Sequence, residues 1–220
     1  MIKPARLAVA ALALLAGCAA PPHPAPTTEV EAKTAWRRHQ TEMSAISEWH
    51  LKGRIAVRAE RKGGNATILW EQRRERQTIQ LYGPFGSGRI RIVAQPGRAV
   101  LFDARGRTTE AANAADALYQ RLGWRIPFAQ LHHWVRGLPD ERATGIVIDG
   151  AGRVKRFHQG DWRVEYQNYQ AVGRLDLPQQ LSVTALPGKL EIYADDGAYI
   201  GDQLSLRLVV SRWRDIHFAR

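Results

Sequence analysis

"WHLKGRIAVRAE", residues 49–60, decides the fold class. Leu51, Gly53, Ile55 and Val57 alternate with Lys52, Arg54 and Arg58, and only Ala56 breaks the pattern. Successive side chains of a strand point to opposite faces, so this segment has one dry face and one basic, wet face. The alternation recurs downstream. After the turn Gly63-Gly64-Asn65, "ATILWEQ" (66–72) puts Ala66, Ile68 and Trp70 on one face, and "TIQLY" (78–82) does the same with Ile79 and Leu81. "RIRIVA" (89–94) alternates Ile90, Ile92 and Ala94 with Arg89 and Arg91, and Pro96-Gly97 leads into "AVLFDA" (99–104). Short strands separated by turn residues predict an antiparallel meander.

Helical patterns flank and interrupt it. Residues 29 to about 47 space Ala35, Trp36, Met43 and Ile46 near helical period. "TEAANAADALYQRLGW" (109–124) carries Leu118, Tyr119 and Leu122 on one side and Gly123 as a C-cap. Pro127 opens "PFAQLHHWVRG", whose apolar stripe is Phe128, Leu131, Trp134 and Val135. Strands resume with "ATGIVID", "VKRFHQ" and "DWRVEYQNY", in which Trp162, Val164 and Tyr166 share a face, then "QLSVTAL", "KLEIYA" and "QLSLRLVVSRW". The fold class is mainly β with an α lid (α+β). Ten or eleven strands form one curved antiparallel sheet covered by helices, because a flat sheet that long curls or splits. The bulky inward residues either fill a core or line an open apolar cavity.

The N-terminus sets the address. Lys3 and Arg6 precede the short apolar run "LAVAALALLAG", which reads as an export signal over residues 1–17. It ends in "LAGC", which resembles the lipobox of bacterial lipoproteins and implies lipid attachment at Cys18. Ala19 and Ala20 stand where an aspartate would be the usual inner-membrane retention signal, so the resemblance implies the outer membrane. Cys18 is the only cysteine, which excludes an intramolecular disulfide. Residues 18–28 read as a Pro-rich tether and residues 29–220 as one domain. Loss of Lys3 and Arg6 takes the formal net charge from +11 to +9. The envelope address argues against nucleic acid and for acidic proteins or anionic membrane surfaces as partners.

Catalytic and cofactor chemistry lacks its residues. Without further cysteine there is no thiol nucleophile or Cys-type zinc site. No serine sits in G-x-S-x-G, H-E-x-x-H is absent, and Gly83, Gly86 and Gly88 are not in a strand–Gly–helix unit. His132 and His133 are adjacent, so on a helix they diverge by about 100° and do not share a metal-binding face. One residue is out of place. In "LYGPFGSGRI" (81–90) the tip of a Gly-rich turn is Phe85, with no charge within three positions. It either folds back on its sheet or projects into an apolar phase.

The order of these segments resembles the LolB family of outer-membrane lipoproteins. "WRRHQ" (36–40) is similar to the family's opening helix, "GPFGSG" (83–88) to its P-hydrophobic-G turn, "HWVRGLP" (133–139) to its W-x-x-G-x-P segment, and "QGDWRVEYQNY" (159–169) to its Q-x-G-W-x-V-x-Y-x-x-Y segment, followed by Leu177-Pro178. The resemblance implies an incomplete antiparallel β-barrel of about 11 strands whose helices cover an acyl-binding cavity. It implies a monomer with no enzyme activity and no cofactor. Such a protein receives lipoproteins from the periplasmic carrier LolA and delivers them to outer-membrane phospholipid. Pro84, Phe85 and Gly86 then form the membrane-inserting turn. The expected cavity wall is Ile55, Val57, Ile68, Trp70, Leu81, Ile92, Trp162, Val164 and Tyr166, and the expected lid is Leu118, Leu122, Leu131 and Trp134. The stretch from Leu181 to Trp213 is longer than the family's usual ending. A structural accessory lipoprotein would share the lipobox and tether without needing an acyl cavity.

Overall fold

The computed structural model describes residues 28–59, 62–83, 88–122, 126–190, 192–193 and 199–219. Helix α1 (Glu29–Ser44) begins at a reciprocal cap. Glu31 N–H donates to Thr28 Oγ1 at 3.2 Å, and Thr28 N–H donates to Glu31 Oε2 at 3.0 Å. Two N–H groups that no helical carbonyl can reach are thereby satisfied. The helix stops at Ser44, earlier than its periodicity suggests, because Ile46 and Trp49 are buried as the first residues of a strand.

That strand, β1 (Ile46–Ala59), begins the meander β2 (Lys62–Arg73), β3 (Arg76–Tyr82), β4 (Arg89–Gln95), β5 (Arg98–Phe102) and β6 (Thr108–Ala111). Helices α2 (Ala114–Leu122) and α3 (Phe128–Trp134) follow, then β7 (Thr144–Ile148), β8 (Val154–Gln159), β9 (Trp162–Val172) and β10 (Leu175–Ala185). A short pair, β11 (Ile192–Tyr193) and β12 (Tyr199–Gly201), precedes β13 (Leu204–Phe218). Eleven strands form one antiparallel sheet in the order β6-β5-β4-β3-β2-β1-β13-β10-β9-β8-β7, which does not close between β6 and β7. The chain crosses that gap through α2 and α3.

Two expectations are corrected here. "KLEIYA" contributes no strand to the large sheet. Ile192 and Tyr193 pair with β12 in a separate two-stranded sheet, so the extended ending is an excursion before β13 pairs with β1 and β10. The eleventh strand is β6, at the start of the expected Ala-rich helix. Thr108 to Ala111 pair with β5, and the helix waits for Asn113, whose Oδ1 accepts from Asp116 N–H at 2.9 Å.

Helix α3 shows how strongly the sheet curls. Phe128 at its start meets Trp70 of β2 edge-on at 5.9 Å, and Trp134 at its end meets Phe157 of β8 at 6.0 Å. Five strand spacings separate β2 from β8, about 24 Å in a flat sheet, whereas seven helical residues span only about 10 Å. The sheet wraps around the helix, and one continuous apolar cluster fills its inner face.

Antiparallel alternation gives the sheet two ends. The entry end holds α1, the start of β1 and the β2–β3 turn, and the far end holds the β1–β2 and β3–β4 connections. β1 lies at the centre, paired with β2 on one side and β13 on the other. Its pairing with β13 shifts register between Lys52 and Gly53. A Cβ on Gly53 would stand 2.4 Å from the Val209 carbonyl oxygen, so the bulge admits only glycine. Gly53→Ala is expected to lower unfolding free energy by about 1–3 kcal/mol, measured by urea denaturation against the unsubstituted chain.

Candidate functional site

The lid is fastened unequally. At the C-terminal end of α3, the Trp134 indole donates to Gln159 Oε1 at 3.0 Å and the Tyr166 hydroxyl donates to the Trp134 carbonyl at 2.8 Å. Gln159 Oε1 also accepts from Asp140 N–H at 3.0 Å, and its amide donates to Asp140 Oδ2 at 2.8 Å. Trp134, Gln159 and Tyr166 are buried, so each of their bonds lost without replacement costs about 1–3 kcal/mol, while Asp140 is half-buried. At its N-terminal end α3 leans on β1 and β2 through rings alone. Phe128 packs on Trp70, and His132 stacks on Trp49 at 6.4 Å. The buried Trp49 and Trp70 indole N–H groups have no acceptor there among the described residues.

Beside that second junction lies a pocket of about 240 Å³. Its sheet wall is Ile55 and Val57 of β1, Ala66 of β2, Leu81 of β3 and Ile90 of β4, and its roof is Leu118 of α2 with Ile126 and Phe128. Asn65 is the one polar side chain lining it. Gly83 and Gly88 form its far-end rim and close the base of the turn, with Gly83 N–H donating to the Gly88 carbonyl at 3.0 Å. Pro84, Phe85 and Gly86 of that turn lie outside the described residues, as does Cys18. A larger hollow of about 380 Å³ at the entry end lies on the other side of Phe128, where Ala94, Pro96, Ala114 and Ala129 share the wall with Gln72, Arg74, Glu75 and Gln95.

The expected site residues separate into three places. Ile55, Val57, Leu81 and the lid residue Leu118 line the apolar pocket. Ile68, Trp70 and Ile92 are buried in the core of the same half-sheet, off the pocket wall. Trp162, Val164 and Tyr166 lie on β9 in the other half, and with Leu131 and Trp134 of the lid they are buried in the core. Leu122 ends α2, and its side chain lies outside the described residues. The apolar side chains of the pocket missing from the expected list are Ala66, Ile90, Ile126 and Phe128. Ala66 and Ile90 carry the same alternation as their neighbours, and Phe128 sits on the α3 stripe, so a signal existed for all but Ile126.

The charged groups here serve the lid and not catalysis. Arg136 is buried and donates from Nη1 to the carbonyls of Met43 at 3.1 Å and Ile46 at 2.8 Å. It caps the exit of α1, where helical carbonyls lack partners. Burial pushes its pKa down to about 10, which leaves it charged at neutral pH. The His132 and His133 rings do not diverge as expected, but meet edge-to-face at 4.6 Å beside Arg136. Among the described residues no cluster of three His, Cys, Asp or Glu side chains could hold a metal.

Burial, with Arg136 and His133 adding to it, pushes His132 down to about pKa 3. Burial lowers His39 of α1 as well, against the opposing pull of Asp176. An unfolded histidine takes up its proton near pH 6.5, so the stability from keeping His132 neutral is complete above that pH and is lost as pH falls toward 3. Between pH 7 and pH 4 this one group is expected to remove about 2–3 kcal/mol. His132→Phe, which keeps a ring on Trp49, flattens that part of the profile in urea titrations at the two pH values.

The family model described as outer membrane lipoprotein LolB matches residues 47–213. The outer-membrane lipoprotein LolB of Pseudomonas paraeruginosa is 33% identical over 217 residues, covering 97% of each chain. That of Pseudomonas putida strain W619 is 32% identical, covering 92% of each. Among solved structures the chain is similar to a LolA superfamily protein from Nitrosomonas europaea, at 10% identity and TM-score 0.45, over 84% of this chain and 97% of that one. No helix among the described residues is long and apolar enough to cross a membrane. The chain belongs to the LolB family of outer-membrane lipoproteins, a non-enzymatic family of lipoprotein localisation.

Proposed function

We propose that the chain receives lipoproteins from the periplasmic carrier LolA by taking up their acyl chains, and inserts them into the inner leaflet of the outer membrane. The observation that carries this is the apolar pocket between the β1–β4 wall and the α2–α3 roof, in a member of the LolB family. Residues 1–17 serve as the export signal, Cys18 carries the lipid, residues 18–28 form the tether, and residues 29–220 form the working domain, which acts as a monomer.

A pocket of about 240 Å³ lies below the roughly 300–1,000 Å³ of ordinary small-molecule sites. Acyl chains therefore enter by displacing the roof. The roof yields at Phe128, where only ring contacts hold it, and pivots at Trp134, where Gln159 and Tyr166 hold the helix. The displaced apolar side chains and the incoming hydrocarbon exchange places, so the step needs no covalent chemistry and no energy source. Beyond the Gly83 and Gly88 rim in the chain, the Pro84-Phe85-Gly86 segment enters the leaflet. One aromatic side chain contributes about 1.5–3 kcal/mol there, enough to direct docking and too little to hold it.

Two variants of the full chain separate the steps. Ala66→Phe fills the pocket from its wall and is expected to abolish uptake from lipoprotein-loaded LolA while the circular dichroism spectrum is kept. Phe85→Glu is expected to take up cargo normally and fail to deliver it to liposomes. Normal uptake by the first variant would overturn the pocket assignment, and normal delivery by the second would overturn the role of the turn.

A further inference from the structure

The outer face of the two central strands carries a charge pattern that the transfer pocket does not use. Lys52, Arg54 and Arg58 of β1 and Arg207, Arg212 and Arg214 of β13 all point away from the core and are exposed. The two strands are hydrogen-bonded neighbours, and the register sets Lys52 opposite Arg212, Arg54 opposite Val209 and Ala56 opposite Arg207. None of the six forms an ion pair with another described residue. The acids on β1, β2 and β13 are already engaged: Glu71 with His50 and Arg73, Asp215 with His50 at 2.7 Å, and Glu48 with Arg74. Same-face residues stand about 7 Å apart along a strand and about 5 Å across neighbouring strands. Like charges at that spacing repel, which destabilises the fold unless an external anion screens them.

The layout of the chain indicates the source of that anion. Tyr82, where the turn begins, pairs with Thr67, and Thr67 pairs with Arg54, so the turn leaves the sheet eight residues, about 26 Å, along β1 from Ile46. Ten tether residues in polyproline II conformation reach about 31 Å. The tether therefore keeps the stripe within reach of the leaflet that holds the anchor, whose phosphates are the anion always at hand. From this stripe and this tether length, resting on the anchor and turn roles proposed above, we infer that the β1–β13 outer face is a docking surface for the headgroup phosphates of an anionic phospholipid membrane.

The inference is tested with the full mature chain carrying Cys18→Ser, so that attachment depends on the protein surface. Its partitioning is measured by flotation with vesicles of phosphatidylethanolamine and phosphatidylglycerol, and with neutral phosphatidylcholine vesicles. One surface cation is worth about fivefold in such partitioning. Arg54→Gln with Arg207→Gln is expected to weaken binding to the anionic vesicles at least tenfold. Lys155→Gln with Arg156→Gln, which removes the same charge from exposed positions on β8, is expected to weaken it less than threefold. Binding should also fall steeply with added salt and be weak on the neutral vesicles. Equal losses from the two double variants would overturn the inference, because net charge alone would then account for binding. Unchanged vesicle binding by the stripe variant together with slowed uptake from LolA would also overturn it, and would assign the stripe to an acidic protein. The readout is independent of the transfer assay: normal delivery by Phe85→Glu refutes the role of the turn whatever the stripe does.

Discussion

Everything in this structure follows from a sheet that has to curl and does not close. Eleven antiparallel strands bury one face, and the two edges, β6 and β7, never pair. An uncovered gap of that kind would leave apolar side chains in water at about 25 cal/mol for each Å² exposed. The chain covers it with its own crossover, α2 and α3, which is the only segment joining the two edges. A lid is therefore a consequence of the topology. Its fastening is what sequence has adjusted: hydrogen bonds through Gln159, Tyr166 and Asp140 at the C-terminal end of α3, and ring packing on Trp70 and Trp49 at its N-terminal end.

On the proposed reading, that asymmetry defines a direction of opening. Breaking the Gln159 network leaves several buried polar groups unpaired, whereas lifting Phe128 from Trp70 separates apolar surfaces and lets the indole N–H groups of Trp49 and Trp70 reach water. The second movement is the cheaper, and it uncovers the wall that carries Ile55, Val57 and Leu81. Arg136 keeps the other helix out of the movement, because its bonds to the Met43 and Ile46 carbonyls tie α1 to the segment just after α3.

Much of this was legible in the residues. Period-two alternation in "WHLKGRIAVRAE" and its successors gave the sheet, its antiparallel sense and its dry face, since a side-chain period of two has no freedom once one face is buried. The error at "TEAA" arose because the helix-favouring alanines hid a short edge strand, which begins with the β-branched Thr108 and Thr109 and is fixed by pairing with β5. "KLEIYA" alternates like any strand, and only the register of β10 with β13 excludes it from the main sheet. For the site, alternation told which side chains face inward but not which of them meet another side chain and which meet open space. Trp162, Val164 and Tyr166 are inward and yet packed, because Phe157 and the Trp134 end of the lid occupy the volume in front of them. That distinction depends on where α3 lands, and no local pattern encodes it.

On the proposed reading, the magnitudes also explain how one pocket can both accept and release hydrocarbon. Lifting the roof exposes Leu118, Ile126 and Phe128, about 1.5–3 kcal/mol each, or roughly 5–9 kcal/mol together. An acyl chain regains about 0.8 kcal/mol for each methylene it buries, so roughly six to eleven methylenes balance the opening. A site with no lid would hold the chains by the whole of their burial energy and release them slowly. A site with a lid fastened by hydrogen bonds along its length would not open for them. Ring packing on one side and hydrogen bonds on the other keep the exchange close to neutral, so a modest further gain at the membrane sets its direction.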